Sequence, residues 1–363
     1  MEGGGEMGSS YTPIISGLPD DIALFCLARV PRRYHHVLKC VSRRWRALVC
    51  GETWHLYRRE HNLDEAWVYA LCRDNEGRAC FYLLDAERRC WKPFQGVLPQ
   101  FLKRKGIACE ALGKKLYLLG GCRLSEDASD EVYCYDASTN SWEEAAPLKI
   151  ARCYCVCQAL NGRLYAIGGM GSGSNLCSWD TYDPNSNSWT THSNSSVFPE
   201  IEDSVALDEK LYILCGEKVY NPRAMSFRRG TSLISPKPEV LAYDPSEDVW
   251  QKIDNNMVSG WCGPAVVVDG TLYVLDQNSG TKLMMWKAES KDWVAVGRLS
   301  TWLTRPPCHL VAVGRTIFVI GMELSTVVID LNMAANVDGM MVCYSIPKLD
   351  CDVDVISCKA LAI

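Results

Sequence analysis

The first sixty residues and the remainder of the chain carry two different hydrophobic periods. Ile22, Phe25, Cys26 and Val30 recur at three- and four-residue intervals, which predicts a helix. It opens at Gly17-Leu18-Pro19-Asp20-Asp21, where Pro fits the first turn and two Asp side chains complement the helix dipole. Pro31 stops it. Tyr34, Val37, Leu38 and Val41 predict a second short helix. Trp45, Leu48 and Val49, with Arg43, Arg44 and Arg46 between them, predict a third, and Trp54 and Tyr57 follow at helical spacing. Three short helices enclose a thin core, and a unit of that size often leans on a partner.

From about Trp67 the pattern becomes short strands and turns. One apolar phrase recurs as Leu116-Tyr117-Leu118-Leu119-Gly120-Gly121, Leu164-Tyr165-Ala166-Ile167-Gly168-Gly169, Leu211-Tyr212-Ile213-Leu214-Cys215-Gly216, Leu272-Tyr273-Val274-Leu275 and Ile317-Phe318-Val319-Ile320-Gly321, with starts 48, 47, 61 and 45 residues apart. A second phrase follows the first four: Tyr135-Asp136 through Trp142, Tyr182-Asp183-Pro184 through Trp189, Tyr243-Asp244-Pro245 through Trp250, and Trp286 through Trp293. An earlier copy is visible in Val68-Tyr69-Ala70-Leu71 and Tyr82-Leu83-Leu84-Asp85 through Trp91. A long repeat built only of strands predicts propeller blades, about six of them. Paired glycines permit a tight turn where a side chain would clash, and the Trp and Tyr side chains fill space between blades. The first blade lacks an inner strand, and Ile356-Ser357-Cys358-Lys359-Ala360-Leu361 looks like the missing one, so the C-terminus is expected to close the ring and remove an open sheet edge.

Composition narrows the chemistry. The 363 residues carry a formal net charge of -5, which argues against a general nucleic-acid binder, and no apolar run is long enough to span a membrane. The acidic, Gly-rich start lacks the blocks of a secretory signal. Nineteen cysteines without paired knuckles read as small buried hydrophobes in a reducing compartment, cytoplasm or nucleus. Cys153, Cys155 and Cys157 alternate and would share one strand face, better read as small packing residues than as a metal site. Lys103-Arg104-Lys105 reads as surface charge. No nucleotide, zinc-protease or serine-hydrolase motif appears, and only His192 and His309 lie in the strand-rich region, too few for a copper oxidase site. No catalysis, cofactor or metal is expected.

Leu18-Pro19-Asp20-Asp21-Ile22, Cys26-Leu27-Ala28-Arg29-Val30-Pro31 and Cys40-Val41-Ser42-Arg43-Arg44-Trp45-Arg46-Ala47-Leu48 resemble the F-box over about residues 14 to 57. The repeated phrases resemble the kelch motif, and the pairing of one F-box with weak kelch repeats resembles the plant Skp-interacting group. The expected organisation is a flexible tail over 1–13, an all-α F-box of three short helices over 14–60, and an all-β kelch-type propeller over 61–363. The resemblance implies a substrate-recognition subunit of an SCF-type cullin-RING ubiquitin ligase. A Skp-type adaptor would link the F-box to cullin and RING subunits. Leu18 and Pro19 would enter the adaptor groove, with Ile22, Leu27, Val30, Pro31, Val41 and Trp45 forming the surrounding contact and small core. The rival reading is a propeller scaffold acting outside the ligase.

In a four-stranded blade, the connection after the second strand and the connection between blades open on one face, which is where a target protein would bind. The longest such segment, 217–239, contains Lys218, Arg223, Arg228, Arg229 and Lys237 against two Glu residues, a net charge of +3 suited to an acidic or phosphorylated target. Tyr220-Asn221-Pro222 through Phe227 repeats the Tyr-Asp-Pro spacing, so the strand could begin there or at Tyr243. Arg152, Trp261, Trp302 and Arg305 lie between blades and are further candidates, being of residue types frequent at interfaces.

Overall fold

A computed structural model describes residues 12–86, 88–94, 98–124, 126–171, 178–194, 201–216, 238–253, 255–278, 280–333, 336–337 and 339–363. The chain forms two compact units: one runs to Ala66 and includes Ala362–Ile363, the other is Trp67–Leu361.

In the first unit the described residues form four α-helices rather than three: α1 Asp20–Ala28, α2 His35–Val41, α3 Arg43–Cys50 and α4 Glu52–Glu60, with a 3-10 turn at Arg32–Tyr34. The expected third helix continues as two, because Gly51 interrupts it in an extended conformation. Ser42 caps α3 by accepting from the Trp45 backbone N–H at 3.0 Å. The core is small: Leu27, Ala28, Leu38, Val49 and Trp54 are buried together, with Val30, Trp45 and Tyr57 packed partly against them. Arg58 is also buried, and its guanidinium donates to the carbonyl of Ala28, the last residue of α1, and to that of Leu63, beyond α4. A cation at the end of α1 satisfies a carbonyl that the helix leaves unpaired.

The second unit is a ring of six sheets. In the first the C-terminal strand lies innermost, and in the other five the four blade strands run from inner to outer in chain order. The first blade comprises β1 Ala66–Asp74, β2 Ala79–Asp85, β3 Cys90–Phe94 and the C-terminal β26 Val353–Ala362. The second comprises β4 Ala108–Leu112, β5 Lys115–Leu119, β6 Val132–Asp136 and β7 Ser141–Ala145. The third comprises β8 Val156–Leu160, β9 Arg163–Ile167, β10 Ser178–Asp183 and β11 Ser188–Ser193. The fourth comprises β12 Ile201–Leu207, β13 Lys210–Cys215, β14 Glu239–Asp244 and β15 Val249–Lys252. The fifth comprises β16 Ala265–Val268, β17 Thr271–Asp276, β18 Lys282–Lys287 and β19 Asp292–Arg298. The sixth comprises β20 His309–Val313, β21 Thr316–Ile320, β22 Thr326–Asp330 and β25 Tyr344–Ile346. A small ribbon, β23 Asn336–Val337 and β24 Met340–Met341, leaves the sixth blade to pair with β19 and covers that outer edge.

The fourth blade resolves the register: Tyr243 pairs with Leu211 across β14 and β13, so the second Tyr-Asp-Pro copy forms the strand. Tyr220 through Phe227 lies outside the described residues.

The core of this unit is six wedges between neighbouring blades. Val68, Leu84, Phe318 and Val355 fill the closing wedge between the sixth and first blades. Tyr117, Leu119, Leu164 and Trp189 fill the one between the second and third. Repeated aromatics do this packing: Tyr135–Trp142, Tyr182–Trp189 and Tyr243–Trp250 are directly opposed cross-strand pairs with ring centroids 5.4, 4.9 and 5.0 Å apart. Each Tyr hydroxyl also donates to a turn residue five positions on: Asn140 at 2.6 Å, Asn187 at 2.8 Å and Asp248 at 2.6 Å. Those three residues have φ of 60°, 45° and 54°, a region Asn and Asp tolerate better than most. Gly120 shows why the doublet is glycine: its φ is +62°, and a Cβ there would lie 2.1 Å from the Arg152 carbonyl oxygen.

Candidate functional site

The first site is the outward side of the helical unit. Leu18 sits on a turn whose N–H donates to the Ile15 carbonyl at 3.1 Å, and Pro19 caps α1. That turn is braced from two sides. Asp20 accepts from the Ile14 backbone N–H and from Arg44 Nη2, both at 2.7 Å. Trp45 Nε1 donates to the Ile14 carbonyl at 2.8 Å. Helix α1 is apolar on two sides: Ala23, Leu27 and Ala28 point inward, while Ile22 and Phe25 are exposed. The helical unit buries one of these apolar sides and leaves the other in water. Helix α2 repeats the pattern with exposed Val37 and Val41 over buried Leu38, and Tyr34, at the end of the preceding 3-10 turn, is exposed beside them in sequence.

The structure thus divides the expected residues. Leu18, Pro19, Ile22 and Val41 are exposed; Leu27 is core; Val30, Pro31 and Trp45 are half-buried, and Trp45 positions the turn. Phe25, Tyr34 and Val37 are equally exposed. Their signal in the sequence was the surplus of apolar positions over what one face of a short helix can bury. Arg29 lies over the Phe25 ring at 3.4 Å and stiffens it. Beneath this surface His35 is buried, with Nε2 3.0 Å from the Val30 carbonyl. Burial, then the charge of Arg58, pushes its pKa down to about 3.

The second site is the propeller face formed by the connections between blades and those after each second strand. Two of the expected residues are corrected. Arg152 is wholly buried: Nε lies 2.9 Å from Asp180 Oδ2, Nη1 donates to the Gly168 carbonyl at 2.8 Å and Nη2 to Ser178 Oγ at 2.9 Å. It locks the third blade and presents nothing to a partner. Trp261 is buried too, because Asp203 Oδ2 accepts from its indole N–H at 3.2 Å and Met257 packs beside it. The turn-rich sequence around it concealed an acceptor 58 residues away. Trp302 is 75% exposed and Arg305 is exposed, with the guanidinium carbon 3.9 Å from the indole centroid. Lys218, Arg223, Arg228, Arg229 and Lys237 lie outside the described residues.

Cys155 and Cys157 are buried in the wedge between the second and third blades, and Cys153 is buried beside them. Only Cys157 falls within β8; the other two precede it. Among the described residues eighteen cysteines are free thiols.

Comparison with known proteins gives two family matches: the F-box domain over residues 15–55, and the KLHDC2/KLHL20/DRC7 Kelch-repeats domain over residues 72–278. The F-box/kelch-repeat protein SKIP4 of Arabidopsis thaliana is 45% identical over 366 residues, covering 99% of this chain and 97% of its own. A second Arabidopsis thaliana F-box/kelch-repeat protein is 28% identical over 80% of this chain and 72% of its own. The F-box protein AFR of the same plant is 26% identical over 73% of this chain and 69% of its own.

Proposed function

This chain belongs to the F-box/kelch-repeat proteins, and from that premise we propose that it is the substrate-recognition subunit of an SCF-type cullin-RING ubiquitin ligase. It is an adaptor-type protein. Its F-box docks a Skp-type adaptor, and through it cullin and RING subunits, while its propeller holds the target. The ligase then acts by proximity: the target's lysines are presented to a reaction carried out on other subunits. The observation that carries the reading is the outward apolar side of the F-box, where Leu18, Ile22, Phe25, Tyr34, Val37 and Val41 are all more than a third exposed. A unit this small does not gain stability by leaving six large apolar side chains in water; a partner that covers them does. Leu18 and Pro19, on their braced turn, are the central anchors. The free thiols among the described residues are in keeping with a reducing compartment, and cytoplasm or nucleus is the localisation proposed with this reading.

The test is co-elution of the purified protein with a Skp-type adaptor by size exclusion, beside Leu18→Ala/Pro19→Ala. The pair is expected to contribute about 2 kcal/mol or more to the complex. Co-elution of the unaltered chain and its loss in the folded variant support the ligase reading. A chain that fails to bind a competent adaptor returns the scaffold reading to first place.

A further inference from the structure

Three arginines occupy one position of the repeat. Arg104, Arg152 and Arg305 each stand four residues before the inner strand of their blade, at Ala108, Val156 and His309, and sixteen before the glycine that ends the second strand, at Gly120, Gly168 and Gly321. In the second blade Arg104 is buried, with Nη1 3.3 Å from the Gly120 carbonyl oxygen and Nη2 2.5 Å from Glu131 Oε2. In the third, Arg152 likewise reaches the Gly168 carbonyl, but its carboxylate is Asp180, two positions further along than Ser178, the residue that corresponds to Glu131. A carboxylate at the start of the third strand, just before β6 in one blade and within β10 in the other, therefore draws the guanidinium inward.

The sixth blade lacks that carboxylate. The Gly120 N–H donates to the Glu131 carbonyl at 2.9 Å, and the equivalent Gly321 N–H donates to the Ser325 carbonyl at 2.8 Å, so Ser325 stands at the Glu131 position, while Val327, opposite Val319, stands at the Asp180 position. Arg305 has no carboxylate partner among the described residues. It turns outward and stacks on Trp302 instead.

The loop that displays this pair is held firmly. Thr304 is fully buried and its hydroxyl donates to the Ser300 carbonyl at 2.8 Å. Gln277 Nε2 donates to the Thr304 carbonyl at 2.9 Å, and Ser325 Oγ to the Leu303 carbonyl at 3.2 Å. Exposed Leu303 and Met322 lie on the same two connections. Nearby Glu323 is already paired with Lys348. The result is a rigid apolar surface with one uncommitted positive charge, built from two residue types that dominate interface energetics.

Resting on the target-recognition reading above, we propose that Trp302 and Arg305 are the target anchor of the propeller, and that they bind an extended segment carrying a bulky apolar side chain beside a carboxylate. The indole and Leu303 take the apolar side chain, and the guanidinium, still stacked, takes the carboxylate.

The experiment uses the full chain and three fluorescent synthetic peptide pools read by anisotropy. Each pool carries Leu, Phe or Met at a central position, flanked by Asp/Glu, by Ser/Gly or by Lys/Arg. The acidic pool is expected to bind about tenfold more tightly than the basic one, Trp302→Ala to weaken it by about tenfold, and Arg305→Glu to reverse the preference. Equal binding of all pools, no binding by any, or a Trp302→Ala chain that binds as the unaltered one does overturns the anchor. Adaptor co-elution of the same proteins separates the two readings. Peptide preference that follows Trp302 and Arg305 in a chain that binds no adaptor leaves the anchor standing and removes the ligase.

Discussion

Lys359 on β26 and Glu110 on β4 are 249 residues apart in sequence, and their side chains meet at 2.5 Å. Burial lowers the Lys359 pKa, but the Glu110 carboxylate, by its charge and its hydrogen bond, outweighs it and holds the ammonium above its ordinary value. On the other side of β26, His309 Nε2 lies 3.1 Å from the Val355 carbonyl oxygen. The last strand is thus tied to the second blade and to the sixth. Lys359→Met leaves Glu110 buried without its cation and is expected to cost about 3 kcal/mol in urea unfolding, whereas Lys359→Met/Glu110→Gln recovers most of that loss.

Deleting 353–363 removes the whole closing strand and leaves the β1 edge of the first blade unpaired. The wedge that holds Val68, Leu84 and Phe318 loses Val353, Val355 and Cys358 with it. The truncated chain is expected to melt at a markedly lower temperature and to aggregate on heating. Unchanged thermal denaturation contradicts the closure argument.

Arg152 predicts a structural defect with no loss of recognition chemistry. Arg152→Met strands Asp180 in the interior with the Thr191 hydroxyl, 2.6 Å away, as its remaining side-chain partner. The expected cost is about 3–5 kcal/mol. Half-buried Lys115→Met, whose partner Glu143 is exposed, is expected to cost about 1 kcal/mol or less in the same urea titration.

The buried His35 makes the helical unit sensitive to acid. Its ordinary value is 6.5 and its folded value is about 3, so the unfolded chain takes up the proton first. Stability is fully present above pH 6.5 and is lost as pH falls toward 3, by about 1.4 kcal/mol per unit. Thermal unfolding between pH 7.5 and 5 measures this. His35→Gln, which keeps a donor for the Val30 carbonyl but does not titrate, is expected to flatten the slope.

Ser325→Glu restores to the sixth blade the carboxylate found in the second. Arg305 is expected to leave Trp302 and turn inward, changing the fluorescence of an indole that is now 75% exposed. A gain of about 1 kcal/mol in thermal unfolding should accompany it. Unaltered emission from the variant means that the missing acid is not what frees Arg305.

The F-box landmarks and the blade count were readable because both are local. A helix announces itself through spacing within one turn, and a blade through Leu-Tyr phrases and Tyr-through-Trp phrases that recur at similar distances. Even the closing strand was legible, since the first copy lacked an inner partner and the last residues had the right alternation. The split of α3 and α4 was missed because Gly51 breaks the helix without disturbing the apolar pattern around it. The 16-residue interval from arginine to glycine was also present in the sequence, but the interval does not say which way a guanidinium points.

The sequence by itself determined the two periods, the strand repeat and the family they resemble. Tertiary structure decided which of those side chains meet solvent. Trp261 and Trp302 are the same residue type in similar turn-rich connections, yet one is buried on Asp203 and the other stands in water under Arg305. Arg152 and Arg305 share a repeat position, yet one is locked inside by Asp180 and the other lies exposed over the Trp302 ring. In each case the deciding partner comes from a different strand or blade, and burial of a polar group depends on whether that partner is there.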